Sequence, residues 1–364
     1  MDRKLKIGIL DKYIIKKFIG TYLFILVLII GIIIIFDISE KIDDLIQKDA
    51  PLKAIIFDYY GNMVPYYINL FSPLLVFISV IFFTSKMASN SEVVAILAGG
   101  ISFNRFLYPY MLSAFGIALF SLILNLFFIP PANKVRLDFM EKYLKEKYYN
   151  SGRNIHFQLS PGTYVYMESF NSISNSASRF TLETIEGHNI TSKLSAESAV
   201  WDSVKQGWKL YDYYIRKSEG NRETITKGAQ IDTIISLSIK DLNRRDNIVE
   251  SYTYGELNDL IKTQKLRGDM RVKFAQIEKH TRFAVPFSAF ILTIMGVALS
   301  SKRRRGGIGL NLGIGLALSF TYILFLRFSQ MFVHSGMMPP WLALWVPNIV
   351  FAAIALFLYR IAPK

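Results

Sequence analysis

The chain has 364 residues, 52% hydrophobic and 19% charged, a net charge of +14 and a mean hydropathy of +0.30. A soluble domain carries about 25% charge, so a wholly soluble protein is excluded, and the apolar content excludes disorder. The lack of cysteine removes disulfides, thiolate metal sites, iron–sulfur clusters and thiol catalysis, and four scattered histidines argue against a His-based metal site.

Six uncharged runs are long enough to cross a bilayer, whose hydrocarbon core takes about 20 apolar residues as helix. They are 18–36, 64–85, 106–129, 283–301, 308–326 and 341–359. The first is longer than a signal-peptide core. It is followed by Asp37-Ile38-Ser39-Glu40 rather than a small-residue cleavage site, and so reads as a retained anchor. Basic residues are unevenly placed. The segment 1–17, the connections after the second and fourth runs and the C-terminus together hold 14 Lys and Arg against three acids, whereas 37–63 holds three Lys and six acids. This asymmetry puts both termini in the cytoplasm. It also explains the basic charge as positive-inside topology and attraction to anionic lipid, with no nucleic-acid partner.

The connection after the second run reads as a short cytoplasmic helix, at about 89–99. Ser89 and Glu92 have the spacing of a capping box, and Gly99-Gly100 ends it. It carries Val93, Val94, Ile96 and Leu97 where a cytoplasmic loop is usually polar. Either it lies on the inner leaflet with Glu92 as a cap, or its apolar face docks in a partner's groove with Glu92 paired to a basic residue there.

Between the third and fourth runs lies a near-balanced segment, 133–282, with 24 basic and 19 acidic residues. It opens with a helical pattern over 133–149 that continues the third span past Pro130-Pro131. Strand patterns follow at 164–167, 179–185, 199–202, 208–215 and 231–239. They are separated by turn signals at 160–162, 186–189, 206–207 and 218–221, and argue an antiparallel sandwich or jelly roll. Residues 254–280 return to a helical pattern. The expected fold class is therefore an α-helical integral membrane protein of six transmembrane helices, with an antiparallel, jellyroll-like β domain between helices 3 and 4. The expected domains are 1–132, 133–282 and 283–364.

The glycine cluster at 305–315, in which Gly309 and Gly313 are spaced as a small-xxx-small pair, lacks the Lys-Ser/Thr of a phosphate-binding loop. It reads as a small-residue face for close helix packing. No cofactor is expected, and any ATP hydrolysis would belong to a partner. Arg327 ends the fifth span, while Lys41, Lys48, Lys134 and Arg136 sit just outside the first and third. Each is either an ordinary interfacial residue or a member of a basic ring for phosphate. Glu278, His280 and Arg282 cluster before the fourth span with no nucleophile beside them, and read as a structural junction.

Four stretches carry a resemblance to a known family. They are Leu10-Asp11-Lys12-Tyr13-Ile14-Ile15-Lys16-Lys17-Phe18, the segment from Glu92 to Gly99, Tyr254-Gly255-Glu256-Leu257 with Gly268 downstream, and Glu278-Lys279-His280-Thr281-Arg282-Phe283-Ala284-Val285-Pro286. With the order of spans, they resemble the lipopolysaccharide-export permeases, LptF/LptG, also called YjgP/YjgQ. The resemblance implies a permease without enzymatic activity, in the bacterial inner membrane, with a periplasmic β-jellyroll. It further implies a paralogous permease subunit, a dimeric cytoplasmic ABC ATPase, a bitopic periplasmic accessory protein and a periplasmic bridge. The substrate implied is lipopolysaccharide, lifted from the inner membrane. Spans 1 and 5 line the family's cavity, which here points to Ile29, Ile33, Leu316 and Phe320 as acyl-chain contacts. Two other classes fit the residues alone: a mechanotransmitting ABC subunit that carries no lipid, and a membrane scaffold with an outer sensor domain.

Overall fold

A computed structural model of the chain describes residues 7–144, 153–187, 189–219, 222–235, 237–242, 246–269, 271–302 and 307–362. Of the features read from the sequence, Arg3, Lys4, Lys6, Arg303, Arg304, Arg305, Gly306 and Lys364 lie outside the described residues. So do the turn positions His188, Gly220 and Asn221 and the end of the helical pattern at 145–149. The chain divides into two compact units. One comprises Met1–Lys145, Glu250–Tyr254 and Gln276–Lys364, the other Glu146–Val249 and Gly255–Ala275.

The helical unit begins with α1 (Ile9–Gln47), whose 39 residues extend about 58 Å at 1.5 Å per residue, well beyond a bilayer core. The acid-rich stretch expected as a loop from residue 37 is thus helical as far as Gln47. Asp37 and Lys41 pair at 2.7 Å one turn apart, and Leu45 is buried among Tyr59, Tyr60 and Met63. The short α2 (Leu52–Ala54) runs through a π-helical turn, Ile55–Tyr60, into α3 (Gly61–Ser89). After α4 (Glu92–Ala98), α5 (Phe103–Ile123) passes through a second π-helical turn, Leu124–Phe128, into α6 (Ile129–Tyr143). Pro130 and Pro131 fall in the first turn of α6. There the π turn accommodates their missing N–H groups, so the third span continues as expected. In the second half of the chain, α7 (Ile239–Leu242) and a 3-10 turn (Asp246–Ser251) lead to α8 (Tyr254–Leu266), α9 (Val272–Ser300), α10 (Gly307–His334) and α11 (Pro340–Ile361). Among the described residues, six helical stretches are long and apolar enough to cross a membrane: α1, α2–α3, α5–α6, α9, α10 and α11.

α3 is the hub, packing against α1, α6 and α10. On one side Phe83 stacks on Tyr110 at 5.2 Å and meets Phe18 of α1. On the other side Gly315 of α10 lies so close to Ile81 that a Cβ would run into that side chain. The close-packing glycine of α10 is therefore Gly315. Gly309 and Gly313, expected to form that face, have nothing within 4 Å of a Cβ position and present an open face instead. Buried polar groups tie the helices together, as unsatisfied donors in hydrocarbon are costly. Asn69 and Asn125 exchange amide hydrogen bonds at 2.9 and 2.8 Å, with Ser121 donating to Asn69 at 2.6 Å. Asn311 donates to Ser85 at 2.9 Å, and Asn348 joins Tyr322 to the carbonyl of Ala284.

The second unit is built on one six-stranded antiparallel sheet, β1 (Arg153–Ser160), β2 (Thr163–Asn171), β3 (Ser176–Glu186), β4 (Asn189–Asp202), β5 (Gly207–Glu219) and β6 (Arg222–Thr233). The strands pair in sequence order, each with its neighbour along the chain. The antiparallel β domain expected between the third and fourth spans is thus present as a meander. Its buried face centres on Trp208, which packs edge-on to Trp201 at 5.4 Å and donates its indole N–H to the carbonyl of Leu237 at 2.9 Å. β1 does not correspond to a strand read from the sequence, and of the pattern at 231–239 only residues 231–233 belong to β6, while 234, 235, 237 and 238 lie outside the sheet and Ile239 begins α7. Pairing lapses at one level across the sheet, where Arg179 stands opposite Glu197 and Glu197 opposite Asp212. Arg179 and Asp212 there have φ of +46° and +51°. The inward set shifts by one residue at this line, from Ala177 to Phe180 on β3 and from Ala199 to Ala196 on β4. A period-2 reading therefore fails across it.

Candidate functional sites

The start of α1, α4 and the start of α5 meet at one end of the helical unit. Asp11, with no exposed surface, accepts both guanidinium nitrogens of Arg105 at 2.5 and 2.6 Å and the backbone N–H of Gly8 at 2.8 Å. Arg105 also lies over the ring of Tyr108 at 5.3 Å. This fork clamps the first turn of α1 to the first turn of α5. Beside it, Tyr13 donates its hydroxyl to Glu92 Oε2 at 3.0 Å, and Asn90 donates its amide to Glu92 Oε1 at 3.2 Å.

The expected capping box is not formed. α3 runs through Ser89, whose hydroxyl donates back to the carbonyl of Lys86, and the residue preceding α4 is Ser91, with φ +61°. Glu92 is held instead by Tyr13 and Asn90. The apolar residues of α4 also divide differently from the expectation. Val93 is fully buried, and Ile96 and Leu97 pack against the chain's own core with Phe103 and Phe106. Val94 is 59% exposed, and Ala95 and Ala98 are exposed with it. Val93, Ile96 and Leu97 seat the helix, and the outward face is Val94, Ala95 and Ala98.

At the opposite end of α1, Lys41 is engaged within the chain. It donates to Asp37 at 2.7 Å and to Tyr59 at 2.5 Å, and Tyr60 donates to the other Asp37 oxygen at 3.1 Å. Arg136 lies over the ring of Tyr66 at 5.0 Å, with its Nε buried and unpartnered. Arg136, Arg327 and Arg282 all act on the carboxyl of Glu250. Burial, reinforced by the negative charge of Glu278, nevertheless pushes that carboxyl up to about 7. Arg282, 1% exposed, donates to Glu278 at 2.8 Å and to the carbonyl of Tyr252 at 2.9 Å. The structure thus brings Arg136 and Arg327 together around Glu250, a residue no sequence pattern singled out. Lys134 is exposed, Lys48 half-buried at the end of α1, and Arg327 bonds to Gln330 at 3.3 Å.

Two spans leave their apolar surface largely uncovered. Only 17% of the most apolar stretch of α1 and 22% of that of α10 is buried, against 67% for α2–α3 and 72% for α9. Leu316 and Phe320 belong to the uncovered face of α10. Ile29 and Ile33 are half-buried against the chain's own core, and the outward stripe of α1 is Phe24, Val27, Leu28, Ile32 and Ile35.

Residues 12–361, covering all six candidate spans and the sheet, match the family model of the lipopolysaccharide export system permease LptF/LptG. The chain belongs to the LptF/LptG family. No curated protein matches it. An LptF/LptG protein is a transporter permease and not an enzyme, and the six long apolar helices among the described residues make this one a multi-pass inner-membrane protein. Among the described residues no group of three or more His, Asp or Glu could hold a metal ion.

Proposed function

We propose that this chain is one permease half of an ABC transporter that extracts lipopolysaccharide from the inner membrane and passes it to a periplasmic bridge. Both termini and α4 lie in the cytoplasm and the sheet unit in the periplasm. The observation that carries the reading is the pair of uncovered faces on α1 and α10. α3 packs against both, so these faces are left for a second, paralogous subunit and for the acyl chains held between the two.

Pulling an acyl chain from a bilayer costs about 0.8 kcal/mol per CH2, so several chains need work from a dimeric ATPase in the cytoplasm. That work enters through α4, whose face of Val94, Ala95 and Ala98 meets the ATPase while Tyr13 and Asn90 hold Glu92 in place. Arg136, Arg327, Lys48 and Lys134 receive the phosphates of the head group, and Lys41 fixes the end of α1. The bitopic accessory protein completes the path to the bridge, and the sheet unit receives the acyl chains.

The test is co-expression with the paralogue and ATPase, with photocrosslinkers at Leu28, Phe320 and Tyr166. Lipopolysaccharide adducts are expected at Leu28 and Phe320 without ATP and at Tyr166 only with it. Equal adducts from the exposed side of α11 would show bulk-membrane contact and remove the cavity assignment. Normal transport with no adduct at any of the three positions would favour a subunit that transmits motion without carrying lipid.

A further inference from the structure

Between α5, α9 and α11, away from the uncovered faces of α1 and α10, the helical unit contains a groove of about 630 Å³, within the ~300–1,000 Å³ of small-ligand sites. Its walls are apolar: Leu107 and Met111 of α5, Ile291 and Ile294 of α9, Ala352 and Leu356 of α11. The gap exists because α11 presents alanines where a larger side chain would fill it. One end is closed by a hydrogen bond from Tyr359 to Asn104, beside Tyr108. Arg360 is exposed and follows Ala352 and Leu356 at four-residue steps, which places it on the same ridge one turn beyond the groove. Exposed Lys302 follows the end of α9 on that side. The positive end of α5 begins there too, at Phe103.

We infer that this groove is a binding site for one acyl chain of an anionic glycerophospholipid of the bilayer, with its phosphate at Arg360. A chain lying in an apolar groove of this shape gains dispersion contacts with both of its walls. A site of this volume suits a chain, since a partner helix is about 10–12 Å across and would need a far wider trough. The basic end selects an anionic head group, as basic pockets between spans do. Tyr359 and Asn104 mark the depth at which apolar wall gives way to polar rim. The lipid is a structural ligand of the bundle and takes no part in the proposed export path, so this inference stands or falls separately from that reading.

The test uses the full chain, purified in mild detergent, stripped of lipid and supplied with dioleoyl phosphatidylglycerol or dioleoyl phosphatidylcholine. Bound lipid is counted by native mass spectrometry. Wild type should retain one phosphatidylglycerol in preference to phosphatidylcholine. Ala352→Trp, which fills the groove from its exposed side, should abolish that adduct, whereas Ala353→Trp on the neighbouring exposed face should not. Arg360→Gln should weaken phosphatidylglycerol retention roughly fivefold, the effect of one basic residue at an anionic surface, and leave phosphatidylcholine unchanged. The assignment is overturned if Ala352→Trp keeps the adduct, if both lipids bind alike in wild type and Arg360→Gln, or if the species lost on filling the groove is lipopolysaccharide or a co-purified membrane peptide.

Discussion

Truncation of Arg105 to Ala should destabilise the helical unit strongly, because it strands Asp11. That carboxylate is fully buried and takes three hydrogen bonds, two of them from Arg105 at 2.5 and 2.6 Å. Breaking a buried ion pair from one side costs about 3–5 kcal/mol. The Arg105 side chain is 40% exposed, however, so water reaches the vacated space, and a discounted cost of ~2–3 kcal/mol is expected. Asp11→Asn keeps an acceptor for Gly8 and removes the charge, for about 1–2 kcal/mol. With Asp11 neutral, the loss of Arg105 strands nothing, so the double variant should fall short of the sum by ~1.5 kcal/mol. Arg105→Lys should recover little, since an ammonium cannot span both carboxylate oxygens. The assay is equilibrium unfolding of the purified full chain by sodium dodecyl sulfate in mixed micelles, followed by circular dichroism. A coupling energy under about 0.5 kcal/mol would refute the reasoning, because the pair would then be two solvated groups in contact rather than a clamp between α1 and α5.

Four further outcomes are expected. Val93→Ala should cost stability by opening a cavity in the bundle, by about 1–2 kcal/mol, with the ATPase still bound. Val94→Asp should leave stability within ~0.5 kcal/mol and abolish ATPase co-purification. The Glu250 carboxyl, raised by burial from 4.5 to about 7, keeps a proton in the fold that the unfolded chain has released. Its contribution is therefore complete below pH 4.5 and is lost as pH rises through 7. Glu250→Gln should flatten the pH dependence of thermal unfolding in that window. In the sheet unit, the hydrogen bond from Lys209, aided by the N–H groups of Lys205 and Val204, lowers Asp202 to about 2. The stability difference between wild type and Asp202→Asn should be full above its ordinary value of 3.8 and vanish as pH falls through 2.

The sequence by itself determined the number of spans, the position of the β segment and the antiparallel nature of the sheet. Bilayer thickness imposes a run length that a single chain displays openly, and β-branched, aromatic residues between turn signals mark strands such as β5 without reference to neighbours. Tertiary structure decided which face of each element is used. The stripe of Val93, Val94, Ile96 and Leu97 announces an apolar helix. Only the contacts of Val93 with the core show that three of the four residues seat it and Val94 remains outside. Ser89 spells a cap, but the helix ahead of it had not ended. Lys41 counts as a free cation in sequence, yet Asp37 and Tyr59 engage it in space. In the sheet, the shared irregularity through Arg179, Glu197 and Asp212 moves the inward register of three strands at once. The reason is the same throughout. Length and periodicity are properties of one segment, whereas burial and pairing depend on residues as far apart as Asp11 and Arg105, which no local pattern encodes.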